Sequence, residues 1–97
     1  MLDLSKVTGF EWDDGNARKN EKHGVSAAEA EQVFFNAPLL LLADAKHSQN
    51  EARYHALGKS DDGRILHITF TLRGFLLRVI SARDGSRRER VIYERIS

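Results

Sequence analysis

Five arginines, Arg78, Arg83, Arg87, Arg88 and Arg90, crowd residues 78–90. A guanidinium is a planar fork of donors that grips phosphate or carboxylate oxygens in pairs. The segment carrying them reads as a strand, a tight turn and the start of a helix. Val79 and Ile80 are β-branched, Asp84-Gly85 is a turn dipeptide, and Ser86 with Glu89 forms a capping box. A helix N-terminus contributes free N–H groups and partial positive charge. The segment can therefore hold a phosphate or carboxylate, or serve as a solvated basic face with Arg–Glu pairs.

Other residues could add proton transfer. His23, His47, Glu51, Arg53 and Tyr93 fall at a helix end, in a loop, at a strand start and on the last helix. With Arg83, Arg87 and Arg88 they suffice in kind for RNA cleavage. One group removes the 2′-OH proton, cations stabilise the phosphorane, and another group protonates the leaving 5′-oxygen. The residues themselves leave open whether these are only surface ion pairs, each worth little. No metal site is expected: the four histidines are scattered and cysteine is absent. His55 and His67 read as sheet-surface or half-buried strand residues. Neither a phosphate-binding glycine loop nor a G-x-S-x-G nucleophile elbow occurs.

The elements that must position these groups belong to one domain, residues 1–97, with 41% hydrophobic and 30% charged residues. The net charge of +1 conceals an asymmetry. Residues 1–63 carry 7 Lys/Arg against 11 Asp/Glu, and residues 64–97 carry 8 Arg against 3 Asp/Glu. A basic last third suggests nucleic acid or an acidic partner. The absence of cysteine, of a signal-peptide pattern and of a long apolar run leads to the expectation of a cytoplasmic protein without membrane contact.

Along the chain, Phe10 and Trp12 at period two read as a first strand. Asp13 or Asp14 caps a polar helix to His23, with Lys22 in its last turn and Gly24 behind it. Ser26 and Glu29 cap a second helix to about Phe35, ended by Pro38. Residues 39–43 form an apolar strand, and residues 44–50 a polar loop. Residues 51–58 and 65–72 form a hairpin about the turn at 60–63. Leu66, Ile68, Phe70 and Leu72 share one face, and Ile65, His67, Thr69 and Thr71 the other. Residues 75–83 are the last strand, and residues 87–96 the last helix, with Val91, Ile92 and Ile96 inward. The order β-α-α-β-β-β-β-α predicts an α+β domain, a mostly antiparallel sheet with helices packed on one face.

A set of short motifs spans residues 10–95. It comprises Phe10-Glu11-Trp12-Asp13, Asn20, Lys22-His23-Gly24-Val25, His47-Ser48, Glu51, Arg53 and Gly58. It continues with Ile80-Ser81-Ala82-Arg83, Arg87-Arg88-Glu89-Arg90 and Tyr93-Glu94. In this order they resemble the BrnT family, the toxins of BrnT–BrnA type II toxin–antitoxin modules. The resemblance implies a RelE-like fold and an endoribonuclease that halts translation without a cofactor. It implies neutralisation by a BrnA-like antitoxin, with DNA met only through that partner. The matched positions His23, Glu51, Arg53, Arg83 and Tyr93 are then catalytic candidates, His23 or Glu51 moving the proton. Arg78, Arg87, Arg88 and Lys22 are the candidate RNA contacts. Leu76, Leu77 and Arg78 are the candidate antitoxin contacts, because residues 75–77 are more apolar than the resemblance leads one to expect.

Overall fold

The computed structural model describes residues 2–47 and 50–97. Its elements are β1 (Gly9–Glu11), α1 (Asp14–Lys22), α2 (Ala27–Val33), β2 (Leu40–Ala43), β3 (Arg53–Lys59), β4 (Ile65–Arg73), β5 (Leu76–Asp84) and α3 (Arg87–Ile96). Two 3-10 turns, Leu4–Lys6 and Ala45–His47, were not expected from sequence. The strands form one sheet in the order β1-β5-β4-β3-β2. Only β1–β5 is parallel; the other pairs are antiparallel. The α+β class, the element order and the antiparallel majority agree with the sequence reading.

The period-two pattern of β4 decides the layering. Leu66, Ile68 and Phe70 are fully buried, and join Ala56, Leu77, Val79 and Ala82 on one side of the sheet with Ala30 and Val33 of α2. Gly58 lets α2 approach: a Cβ there would lie 2.7 Å from Val33 Cγ1. Ser26 caps α2 by accepting from the Glu29 N–H, but the Glu29 carboxylate goes to Arg64. Arg64 also grips Asp84 at 2.7 Å and donates to the Gly24 carbonyl at 2.8 Å. It thus ties the end of β5 to the connection between α1 and α2.

Helix α1 is polar because its inner residues serve a strand edge. Beyond Arg78 the short β1 no longer covers β5. Asn16 Nδ2 donates to the Val79 carbonyl at 2.9 Å, and Asn20 Oδ1 accepts from Ala82 N–H at 2.8 Å. Side-chain amides replace the missing strand's backbone groups, which would otherwise be buried without partners.

A β-bulge in β5 sets the direction of Arg83. Phe70 pairs with Val79, but Thr69 pairs with Ser81, leaving Ile80 as the extra residue. Strict alternation would put residue 83 on the same side as Leu77 and Val79. The bulge instead turns Ala82 into the core and Arg83 to the opposite face, where it is the register partner of His67.

Helix α3 begins and ends where the capping box and periodicity place it, yet its inward residues differ from expectation. Val91, Ile92 and Ile96 are exposed, and Tyr93 is buried. Glu89, one turn earlier, contacts His67 and Arg83, which lie on the side of the sheet opposite Leu66, Ile68 and Ala82. The helices thus do not all meet one face: α2 covers the apolar side, while Glu89 of α3 reaches the polar side.

Candidate active site

The polar side of the sheet is a patterned surface. Register places Leu42, His55, Thr69 and Ser81 in one row, and Leu40, Leu57, His67 and Arg83 in the next. Diagonal neighbours His55 and His67 stack with ring centroids 4.9 Å apart and planes inclined by 37°. His55 Nε2 is 2.9 Å from Asp44 Oδ2, and its Nδ1 is 3.1 Å from Thr69 Oγ1. Asp44 also takes the His47 ring at 3.0 Å and the His47 N–H at 3.2 Å, closing the 3-10 turn. Burial pushes the Asp44 carboxyl up, but the His47 and His55 contacts outweigh this and hold it below its ordinary value.

His67 faces the other carboxylate. Its Nε2 is 3.8 Å from Glu89 Oε2, outside hydrogen-bonding reach. Glu89 instead binds Arg83 through both oxygens, at 2.9 and 3.3 Å, and accepts from Ser86 N–H at 2.8 Å. Burial pushes Glu89 up, but Arg83 and the Ser86 amide overcome it and bring the carboxyl to about 2. Burial, reinforced by the Arg83 charge, pushes His67 below its usual range. Beside the rings, Leu40, Leu42 and Leu57 wall a cavity of about 350 Å³. Solvent-accessible cations, titratable rings and apolar walls therefore meet on one open face.

Arg53 stands at the other end of that face, opposite Thr71 and next in line to Arg78. A cleft of about 430 Å³ there is lined by Lys46, His47, Asn50, Glu51 and Arg53. Glu51 lies 3.7 Å from Arg73. The structure thus brings Glu51, Arg53 and His47 together, and separately Arg83 with Glu89. His23 is apart from both groups: it caps the C-terminal end of α1, exposed, with Lys22 beside it. Ser48 lies outside the described residues.

Several expected roles are corrected. Tyr93 is 2% exposed and its hydroxyl donates to the Pro38 carbonyl at 2.7 Å. It is a core anchor for α3, not a group that meets a ribose. Leu77 is 1% exposed and packs in the core, so it cannot seat a partner. Arg78 is committed to Glu11 at 3.0 Å and Asp13 at 2.8 Å, with little of its side chain open to RNA or antitoxin. Leu76, Arg87 and Arg88 are exposed.

His55 and His67 are the site residues that the sequence reading passed over. The signal was available: a turn at 60–63 pairs residue 57 with 67 and residue 55 with 69, which places both rings together opposite Leu66 and Ile68. Among the described residues, no group of three His, Asp or Glu side chains is arranged to hold a metal ion, and no helix is long and apolar enough to cross a membrane.

The family model for the BrnT ribonuclease toxin of type II toxin–antitoxin systems matches residues 12–89. That stretch runs from the N-cap region of α1 to Glu89, and so contains the whole polar face described above. No curated protein matches the chain. With a match over most of its length, the chain belongs to the BrnT family of ribonuclease toxins.

Proposed function

We propose that this toxin is a metal-independent endoribonuclease of RelE-like design that inhibits translation and is neutralised by a BrnA-like antitoxin. The observation that carries the reading is Arg83. The bulge at Ile80 brings this cation onto an open polar face beside two histidines. A guanidinium there can take the charge that builds on phosphorus as the 2′-oxygen attacks. Arg53 extends the cationic line toward one end of the face, and Arg87 and Arg88 extend it at the start of α3. Glu51 lies at the Arg53 end and serves the same substrate track. His23, off the face at the end of α1, is left to peripheral RNA contact with Lys22.

One observation favours a second reading, a non-catalytic RNA- or protein-binding partner of an operon repressor. Arg83 is already held by both oxygens of Glu89, as a structural ion pair would be. Purified protein incubated with RNA in excess EDTA separates the two. Cleavage at an undiminished rate, leaving 2′,3′-cyclic phosphate ends, supports the enzyme. Activity lost in EDTA and restored by a divalent ion overturns metal independence, and RNA binding without cleavage favours the second reading.

A further inference from the structure

We propose that His67 and His55 are the proton-transfer pair of this toxin, His67 taking the 2′-hydroxyl proton and His55 supplying one to the leaving 5′-oxygen; the assignment rests on the reading that the polar face cleaves RNA. The geometry separates the two rings. They are 4.9 Å apart, close enough that two imidazolium charges would repel.

The surroundings of the two rings differ. From the loop after β2, Asp44 stands 2.9 Å from His55, with His47 on the same carboxylate. From β5, Arg83 lies beside His67, and from α3 Glu89 approaches to 3.8 Å with its charge already taken by Arg83 and the Ser86 amide. Arg53 of β3 is the next residue along the same face from His55. A carboxylate in contact stabilises an imidazolium, whereas burial and an adjacent guanidinium disfavour one. The donor role therefore falls to His55, whose ring lies on the Asp44 carboxylate, and the acceptor role to His67. Burial and Arg83 push His67 below its usual range, which suits an acceptor.

The reaction then balances. His67 Nε2 accepts the 2′-hydroxyl proton as the 2′-oxygen forms its bond to phosphorus. The bond from phosphorus to O5′ breaks, and O5′ takes the Thr69 hydroxyl proton. The Nδ1 proton of His55, 3.1 Å from Thr69 Oγ1, replaces it. The products are a 2′,3′-cyclic phosphate and a 5′-hydroxyl, with the proton now on His67 and returned through solvent. Leu40, Leu42 and Leu57 line the cavity of about 350 Å³ beside the rings, which has room for the nucleoside whose 2′-hydroxyl reacts.

The test is single-turnover cleavage of an RNA oligonucleotide from about pH 4 to about pH 9, where histidine titrates. It compares wild type with His67→Gln and His55→Gln, folding being checked by circular dichroism. Wild type should give a bell-shaped profile. His67→Gln should lose the rise on its acid side, His55→Gln the fall on its alkaline side, each with a rate loss on the order of 10²–10⁴ and RNA binding retained. In the unmutated protein, NMR of the ring protons should show two coupled titrations. Cleaving variants with unchanged pH profiles, or two independently titrating rings, overturn the pair while leaving the ribonuclease reading intact. A wild type that binds but never cleaves RNA overturns both.

Discussion

Arg83 and Tyr93 show how residue type alone misleads about role. Both read as site residues in a basic segment, but one reaches an open face and the other the core. Arg83→Ala removes an exposed ion pair, worth at most about 1 kcal/mol, so the protein should stay folded. It also removes charge stabilisation in the transition state, so the cleavage rate should fall on the order of 10²–10³-fold. Arg83→Lys should recover little, because an ammonium cannot reproduce the fork that spans Glu89. Cleavage by Arg83→Ala at the wild-type rate would place the chemistry elsewhere. Tyr93→Phe should do the reverse. It leaves the half-buried Pro38 carbonyl without its donor, which costs about 0.5–1.5 kcal/mol in urea unfolding, while the turnover of the folded fraction is unchanged.

At the scale of elements, the Ser86–Glu89 capping box joins stability to the site. Glu89 closes the first turn of α3 and holds Arg83. Its carboxyl is about 2 in the fold against 4.5 ordinarily. A folded-state value below the unfolded one means that the folded state resists the proton. The contribution is complete above about 4.5 and lost as pH falls toward about 2. The lowered His67 acts in the same direction at higher pH, since the folded state also refuses its proton. Stability should therefore fall steadily on acidification from neutrality. Glu89→Gln should flatten the acid part of that curve and cost about 0.3–1 kcal/mol at pH 7 in urea titrations, since glutamine can keep the bond from Ser86 N–H but loses the charge at the helix start. An unchanged acid limb would mean that Glu89 is not a stabilising carboxylate. The elements themselves were legible because their signals are local: the caps of α1 and α3, the alternation of β4 and the turn at 60–63 all predict what forms. The bulge at Ile80 was not legible, because Ser81 and Ala82 give no local reason to break alternation. It comes from tertiary demand, with Ala82 N–H bound to Asn20 and its side chain buried. The stacked histidines needed pairing across β3 and β4, which a strand-by-strand reading does not supply.

The charge asymmetry along the chain takes a different form in the whole molecule. Acids of the first two-thirds fold onto arginines of the last third: Glu11 and Asp13 on Arg78, Glu11 and Glu51 on Arg73, Glu29 on Arg64. Apart from the exposed Arg18, Lys19 and Lys22 of α1, the basic surface left open centres on the polar face and the start of α3. That is also the surface a neutralising antitoxin has most reason to cover. Leu76 starts β5 beside Arg73, and Arg83 lies near its other end. At about 3.3 Å per residue the two are about 23 Å apart, so a partner touching both must span the face. An interface of that reach buries at least about 1,000 Å², enough for a stable complex. The exposed Phe75 and Leu76 offer it an apolar anchor at one end, and Arg83 a charged one at the other. Leu76→Asp should therefore fold normally by circular dichroism and weaken antitoxin binding at least tenfold. Leu77→Asp, by placing a carboxylate in the core, should unfold the domain and abolish binding for that reason alone. Hydrogen exchange of the complex should show protection along β3, β4 and β5 from Arg53 to Arg83. Protection confined to residues 14–36, with the polar face still exchanging freely, would show that the antitoxin neutralises the toxin without covering its site.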